Sequence, residues 1–186
     1  MAIPAPKAAI LLADGFEEIE AITLVDVLRR ADVEVTLLGV FGLEVLGAHG
    51  VRVFADALLA DAGGEAFEAV VLPGGMPGAK HLRDDPVVQA MLGRQLNSGG
   101  LLGAICAAPM ALGLAGALQG HAATCYPGFE EHLIGAEVRE QPVVEDRQVI
   151  TSRGPGTAIA FALALARRLR GEGVAATVAK QLLVAA

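Results

Sequence analysis

The 186-residue sequence predicts a three-layer α/β sandwich: a mostly parallel sheet with helices on both faces. Three observations predict it. Short aliphatic runs alternate with amphipathic helical stretches, the pattern of successive βαβ units. Hydrophobic residues make up 54% of the chain and aromatics only 4%, so the core must come from Ala, Val, Leu and Ile, as in buried parallel strands. Gly and Pro separate the apolar runs from one another.

The elements follow in order. Ala8–Ala13 (AAILLA) is a continuous apolar run closed by Asp14-Gly15, a buried strand. Phe16–Arg30 carries Ile22, Val25 and Leu28 at helical spacing, with carboxylates in its first turn where the helix dipole favours them. Val33–Gly39 returns as a strand, and the crossover should be right-handed. Phe41–Ala55 reads as a small hairpin excursion. Ala69–Leu72 is a strand closed by Pro73-Gly74-Gly75. Pro86–Asn97 is a helix stopped by Ser98-Gly99-Gly100. Leu101–Ile105 is a strand, Ala107–Leu118 a helix, His121–Thr124 a short strand and Val143–Thr151 a hairpin. Gly156–Leu169 and Val174–Leu183 are the closing helices. With no linker, repeat or low-complexity segment, residues 1–186 read as one domain with a sizeable core.

Charge and composition exclude several classes. The formal net charge is −7, and no Lys/Arg run marks a nucleic-acid or anionic-lipid footprint. Arg167, Arg168 and Arg170 cluster at one helix end, where the dipole favours cations. Met1–Lys7 is too short and too broken by Pro4 and Pro6 for a targeting helix, and no run is long enough to span a membrane. Two cysteines make no disulfide framework, which points to reduced thiols and the cytoplasm. The four histidines show no metal-ligand spacing, and no phosphate loop or strand-following GxGxxG is present.

In an open α/β sheet ligands bind beyond the carboxyl ends of the strands. Four such ends carry Asp14 to Glu20, Pro73-Gly74-Gly75, Cys106-Ala107-Ala108-Pro109 and Cys125-Tyr126-Pro127. Cys106, flanked by small residues between a strand and a helix, fits a nucleophile elbow. The helix end there should lower its thiol pKa from roughly 8.5. A tightly packed buried cysteine fits the same position. Gly74 and Gly75 suit an ordinary turn, or a close approach in which the Gly75 and Ala107 N–H groups form an oxyanion hole. Glu17 and Glu18 read as solvated, whereas Glu20, one turn on, faces the sheet edge. Beside a thiolate it would be driven towards its neutral form and could pass a proton to a substrate. Cys125 reads as a packing residue, with a resolving role towards Cys106 as the alternative.

The stretches DGFEEIEA (14–21), VDVLRRA (25–31), VVLPGG (70–75), AICAAP (104–109) and TSRGPGT (151–157) occur in this order along nearly the whole chain. Together they resemble the ThiJ/PfpI superfamily, in the branch of the Parkinson-disease protein deglycase and bacterial YajL. The resemblance implies a flavodoxin-like sandwich and a homodimer with the first helix in the contact. It implies that the nucleophilic, oxidisable cysteine is Cys106, the pocket glutamate Glu20, and the oxyanion donors Gly75 and Ala107. Arg153 and Pro155 should line the site. Tyr126 stands where animal members carry a histidine, so no Cys–His dyad arises there; it would wall the pocket or bond a carbonyl. His49 stands where the partner subunit offers an arginine.

Three functions compete. One is a cofactor-independent cysteine enzyme acting on a small aldehyde or dicarbonyl, such as glyoxalase-type conversion of methylglyoxal to lactate, or on early protein and nucleotide glycation adducts. The second is an oxidative-stress sensor or redox-regulated chaperone through oxidation of Cys106. The third, a cysteine peptidase or amidotransferase, lacks a histidine base held by a carboxylate.

Overall fold

The computed structural model describes residues 4–62 and 64–184. Strands β1 (Lys7–Leu12), β2 (Glu34–Gly39), β5 (Ala57–Leu58), β6 (Ala69–Leu72), β7 (Leu101–Ile105), β10 (Val143–Asp146) and β11 (Val149–Ser152) form one sheet in the order β10-β11-β7-β6-β1-β2-β5. Every pairing is parallel except the β10–β11 hairpin. The predicted mostly parallel sandwich is therefore present. β3 (Glu44–Leu46) and β4 (Arg52–Phe54) form a separate antiparallel hairpin, and β8 (Ala122–Ala123) pairs with β9 (Glu137–Val138).

Two helical layers cover the sheet. Helix α1 (Glu18–Arg30) packs on α5 (Ala158–Arg170), and α5 on α6 (Glu172–Gln181). Helices α2 (Gly78–Asp84), α3 (Pro86–Ser98) and α4 (Pro109–Leu114) pack on one another. Aliphatic side chains from β1, β6 and β7 join both layers in one buried cluster that runs in sequence from Ala8 to Val178. Gly103 sits mid-strand because a Cβ there would press on Leu165 and Phe161 of α5 at 3.1 and 3.2 Å. Among the described residues no helix is long and apolar enough to cross a membrane.

The differences from the sequence reading are local. The helix after Cys106 forms only over Pro109–Leu114, with residues 106–108 in a turn. The pattern gave no notice of α2, which lacks a side-chain cap, or of the two-residue strands β5 and β9. By contrast α3 is well marked: Asp85 accepts hydrogen bonds from the Val87 and Val88 N–H groups, Pro86 starts the helix and Gly99 closes it at φ +73°.

The order reverses beside β1, with β2 on one side and β6 on the other. This switch point opens a crevice at the carboxyl ends of β1 and β6. β7, which Cys106 follows directly, lies next to β6.

Candidate active site

Cys106 follows β7 directly and holds a left-handed backbone conformation, φ +64°. A non-glycine residue there costs about 1–2 kcal/mol, so the surroundings must impose it. They do so through the backbone: the Cys106 N–H donates to Ser152 O at 2.9 Å, and its carbonyl accepts from the Tyr126 N–H at 2.8 Å. The sharp turn aims the sulfur back over the sheet edge, where the N–H groups of Gly75 and Ala107 point at it. The nucleophile elbow read from the sequence is thus a real backbone feature.

Glu20 reaches this sulfur from the first turn of α1. It is fully buried, and its Oε2 accepts the Gly74 N–H at 2.7 Å. Its Oε1 is buried and accepts no hydrogen bond among the described residues, and the carboxyl faces the Cys106 thiol and feels the charge of Glu17. Gly74 makes the approach possible. A Cβ there would lie 2.5 Å from Cys106 Cβ and 2.9 Å from Glu20 Oε2.

Burial pushes the Glu20 carboxyl up to about 7, against the Gly74 N–H and the Cys106 contact that favour its charge. Burial, and then the charge on Glu20, push the Cys106 thiol up to about 12. The Gly75 and Ala107 N–H groups oppose that rise and are outweighed. The sequence reading had the helix end lowering this thiol pKa, and the structure corrects it. α4 begins only at Pro109, and the sulfur lies in a desolvated spot beside an acid. The pair therefore holds its proton on sulfur while Glu20 is ionised. If Glu20 takes the proton, its charge vanishes and its O–H becomes a donor to the sulfur.

The sulfur opens onto a cavity of about 270 Å³ lined by Glu17, Gly75, Met76, Cys106, Ala107, Tyr126, Phe129 and Pro155. Tyr126 is half-exposed and meets Phe129 edge-on. Arg153 lies in an adjoining cavity instead, with Tyr126, Pro127 and the 154–157 turn. Cys125 is buried, and burial raises its thiol to about 11; it is free, as is Cys106.

Sequence reading missed Glu17, Met76 and Phe129 as pocket walls, and placed Glu17 and Glu18 in solvent. Both acids are buried. The hairpin β3–β4 lies over them: Ala48 N–H donates to Phe16 O at 2.8 Å, and Glu18 Oε1 accepts the His49 N–H at 2.7 Å. The cover is a contact distant in sequence, invisible to local pattern. His49 does not enter the Cys106 pocket of its own chain. Its exposed ring sits 2.9 Å from Glu18 Oε2 and 3.6 Å from Glu17 Oε2. Burial alone would raise the Glu18 pKa, but the His49 ring and the His49 and Val51 N–H groups outweigh it and hold the carboxyl below its ordinary value. Ligand atoms of Glu17, Glu18 and His49 lie within 4.8 Å of one another, a grouping that could hold a metal ion and that the ion pair already accounts for.

The whole-chain comparison decides the family. The DJ-1/PfpI family pattern matches residues 6–168. The chain belongs to the DJ-1/PfpI family. Among DJ-1/PfpI proteins it is similar to the Drosophila melanogaster protein dj-1beta, 42% identical over 96% of this chain and 97% of that one. The crystal structure of Drosophila DJ-1beta superposes with a TM-score of 0.93, covering 98% of this chain and 100% of that chain. The Caenorhabditis elegans glutathione-independent glyoxalase DJR-1.2 is 38% identical over 90% of this chain and 91% of its own. The Toxoplasma gondii DJ-1 structure, described as oxidized, superposes at 0.94 with 38% identity, over 98% of this chain and 100% of that chain.

Proposed function

We propose that this DJ-1/PfpI protein is a cofactor-independent cysteine enzyme acting on reactive dicarbonyls or on their early glycation adducts. The observation that carries the reading is the buried Glu20 carboxyl set against the Cys106 thiol, with the Gly75 and Ala107 N–H groups converging on the same sulfur. The similarity to a relative named a glutathione-independent glyoxalase supports it.

The resting thiol suits this role if Glu20 acts as the base. The Glu20 carboxylate takes the thiol proton as the sulfur adds to the aldehyde carbon of methylglyoxal. The Gly75 and Ala107 N–H groups hold the developing oxyanion, and Glu20 returns the proton to it, giving a hemithioacetal. Glu20, again a carboxylate, removes the proton from that carbon to give an enediolate, the hydroxyl proton passes to the neighbouring ketone oxygen, and Glu20 delivers the proton it holds to the former ketone carbon. The product is a lactoyl thioester. Water cleaves the C–S bond, releasing lactate and restoring the thiol. Carbon is oxidised at one centre and reduced at its neighbour, so the sequence needs no external redox partner. On an early adduct, R–NH–CH(OH)–C(O)CH3, the sulfur would displace the nitrogen: the C–S bond forms as the C–N bond breaks, and the amine leaves with the thiol proton carried by Glu20, giving the same hemithioacetal.

Purified protein should form lactate from methylglyoxal without glutathione, and Cys106→Ala should form none above the buffer rate. Lactate formation by Cys106→Ala at the native rate overturns the reading.

A second reading, thiol oxidation as a stress signal, is favoured by the buried Glu20 carboxyl set against the Cys106 thiol and by the similarity to a Toxoplasma relative described as oxidized. A sulfinate that stops at Cys106 after mild peroxide, with no dicarbonyl turnover, supports that reading over the first. Peptidase or amidase chemistry finds no histidine in the pocket lining. We further propose a homodimer. Ile19 and Ile22 of α1 and Val51 and Phe54 of the hairpin are exposed apolar residues suited to a self-complementary contact. Reduced cysteines favour a cytoplasmic setting.

A further inference from the structure

The Cys106 cavity does not end at Tyr126. A second cavity of about 290 Å³, lined by Tyr126, Pro127, Arg153, Gly154, Pro155, Gly156 and Thr157, shares Tyr126 and Pro155 with it. The Tyr126 ring lies over Gly154, where an added Cβ would come within 3.2 Å of the ring, so the shared wall is a side chain seated on the loop that carries Arg153.

The two cavities differ in charge. The first holds Glu17 and abuts Glu20, and its donors are two backbone N–H groups aimed at the sulfur. The second holds Arg153. Elsewhere on the chain Arg139 and Arg147 are paired with Glu137 and Asp146, whereas the Arg153 guanidinium has no ion-pair or hydrogen-bond partner among the described residues; only its backbone N–H is used, donating to Pro142 O. Glu130, which also acts on nearby Cys125, is engaged by the Gly128 N–H instead. A half-buried guanidinium facing a cavity is a ready partner for a carboxylate or phosphate.

Resting on the dicarbonyl reading above, we infer that the Arg153 cavity is a substrate subsite for an anionic group, so that the preferred substrates are dicarbonyls or adducts with an acidic tail. Repulsion from Glu17 keeps the tail away from the sulfur, and Arg153 draws it past Tyr126. The neutral reacting end is then left at Cys106. Charge polarity along the joined cavities fixes the orientation of the substrate, which free methylglyoxal cannot exploit.

The test compares 4,5-dioxopentanoate with its methyl ester, each converted to its 2-hydroxy acid, with methylglyoxal as reference. The expected kcat/KM ratio of acid to ester is about tenfold, or about 1.4 kcal/mol, expressed mainly in KM. The ratio should fall towards one in Arg153→Met and in about 0.5 M KCl, and stay intermediate in Arg153→Lys. A ratio near one in the native protein, or one that neither Arg153→Met nor salt alters, overturns the inference. If Arg153→Met does not fold, the salt response of the native protein decides. Methylglyoxal turnover without the acid preference overturns this inference alone, whereas no turnover of any aldehyde overturns the dicarbonyl reading with it.

Discussion

Glu20 is an acid that the fold holds in apolar surroundings at a cost. Its ordinary value is 4.5 and burial pushes it to about 7. A raised carboxyl binds its proton more tightly folded than unfolded, so stability falls as pH rises from about 4.5 to about 7. Above that window the loss is about 3 kcal/mol. Glu20→Gln, which cannot ionise, should therefore gain stability relative to the native protein on going from about pH 5 to about pH 8, read as the difference in urea midpoints. An unchanged difference would mean that Glu20 is not desolvated. The same titration should give kcat/KM for methylglyoxal an ascending limb centred near pH 7, because the base form is the carboxylate; a profile flat from about pH 5.5 to 8.5 contradicts that role. Cys106 shows what a single position can and cannot reveal. Small neighbours between a strand and a helix made the elbow legible. The direction of its thiol shift was not legible, because it depends on burial and on an acid 86 positions earlier in the chain.

Elements place these residues, and the glycines at the strand ends set the spacing. Gly74→Ala would put a methyl group against Cys106 Cβ and Glu20 Oε2, atoms fixed by the elbow and by α1. Loss of about 1–3 kcal/mol of stability and at least tenfold in kcat is expected, with thermal unfolding and lactate assays as the checks. A Gly74→Ala protein with native kcat would show that the pair is not tightly positioned. The strands and long helices were legible because aliphatic runs, caps and stop glycines sit at their ends, as at Asp85, Pro86 and Gly99. Three pieces were not. α2 has no side-chain cap, β5 and β9 are two residues each, and the burial of Glu17 and Glu18 is imposed by the β3–β4 hairpin folding over the start of α1. These are tertiary effects, and no window of neighbouring residues carries them.

At the scale of the molecule, the ordered motifs from residue 14 to residue 157 specify one sheet edge, and the topology brings the ends of β1, β6, β7 and β11 to it, whereas the strand expected before Cys125 is β8, which pairs with β9 outside this sheet. The exposed Ile19, Ile22, Val51 and Phe54 lie on the elements that also carry Glu17, Glu18 and His49, so self-association would cover the hairpin side of the site. Phe54→Glu together with Ile22→Glu should convert a dimer to monomer in sedimentation velocity; a native protein that sediments as a monomer contradicts the dimer. The catalytic proposal stands or falls on the Cys106–Glu20 pair acting together. Lactate formation from methylglyoxal by Glu20→Gln, alongside titration of the Cys106 thiol to prove it intact, tests this most directly. The expected result is a fall of about 10²–10⁴-fold in kcat with the thiol still alkylated by iodoacetamide. Activity within a few-fold of the native protein would remove Glu20 from the chemistry and contradict the mechanism.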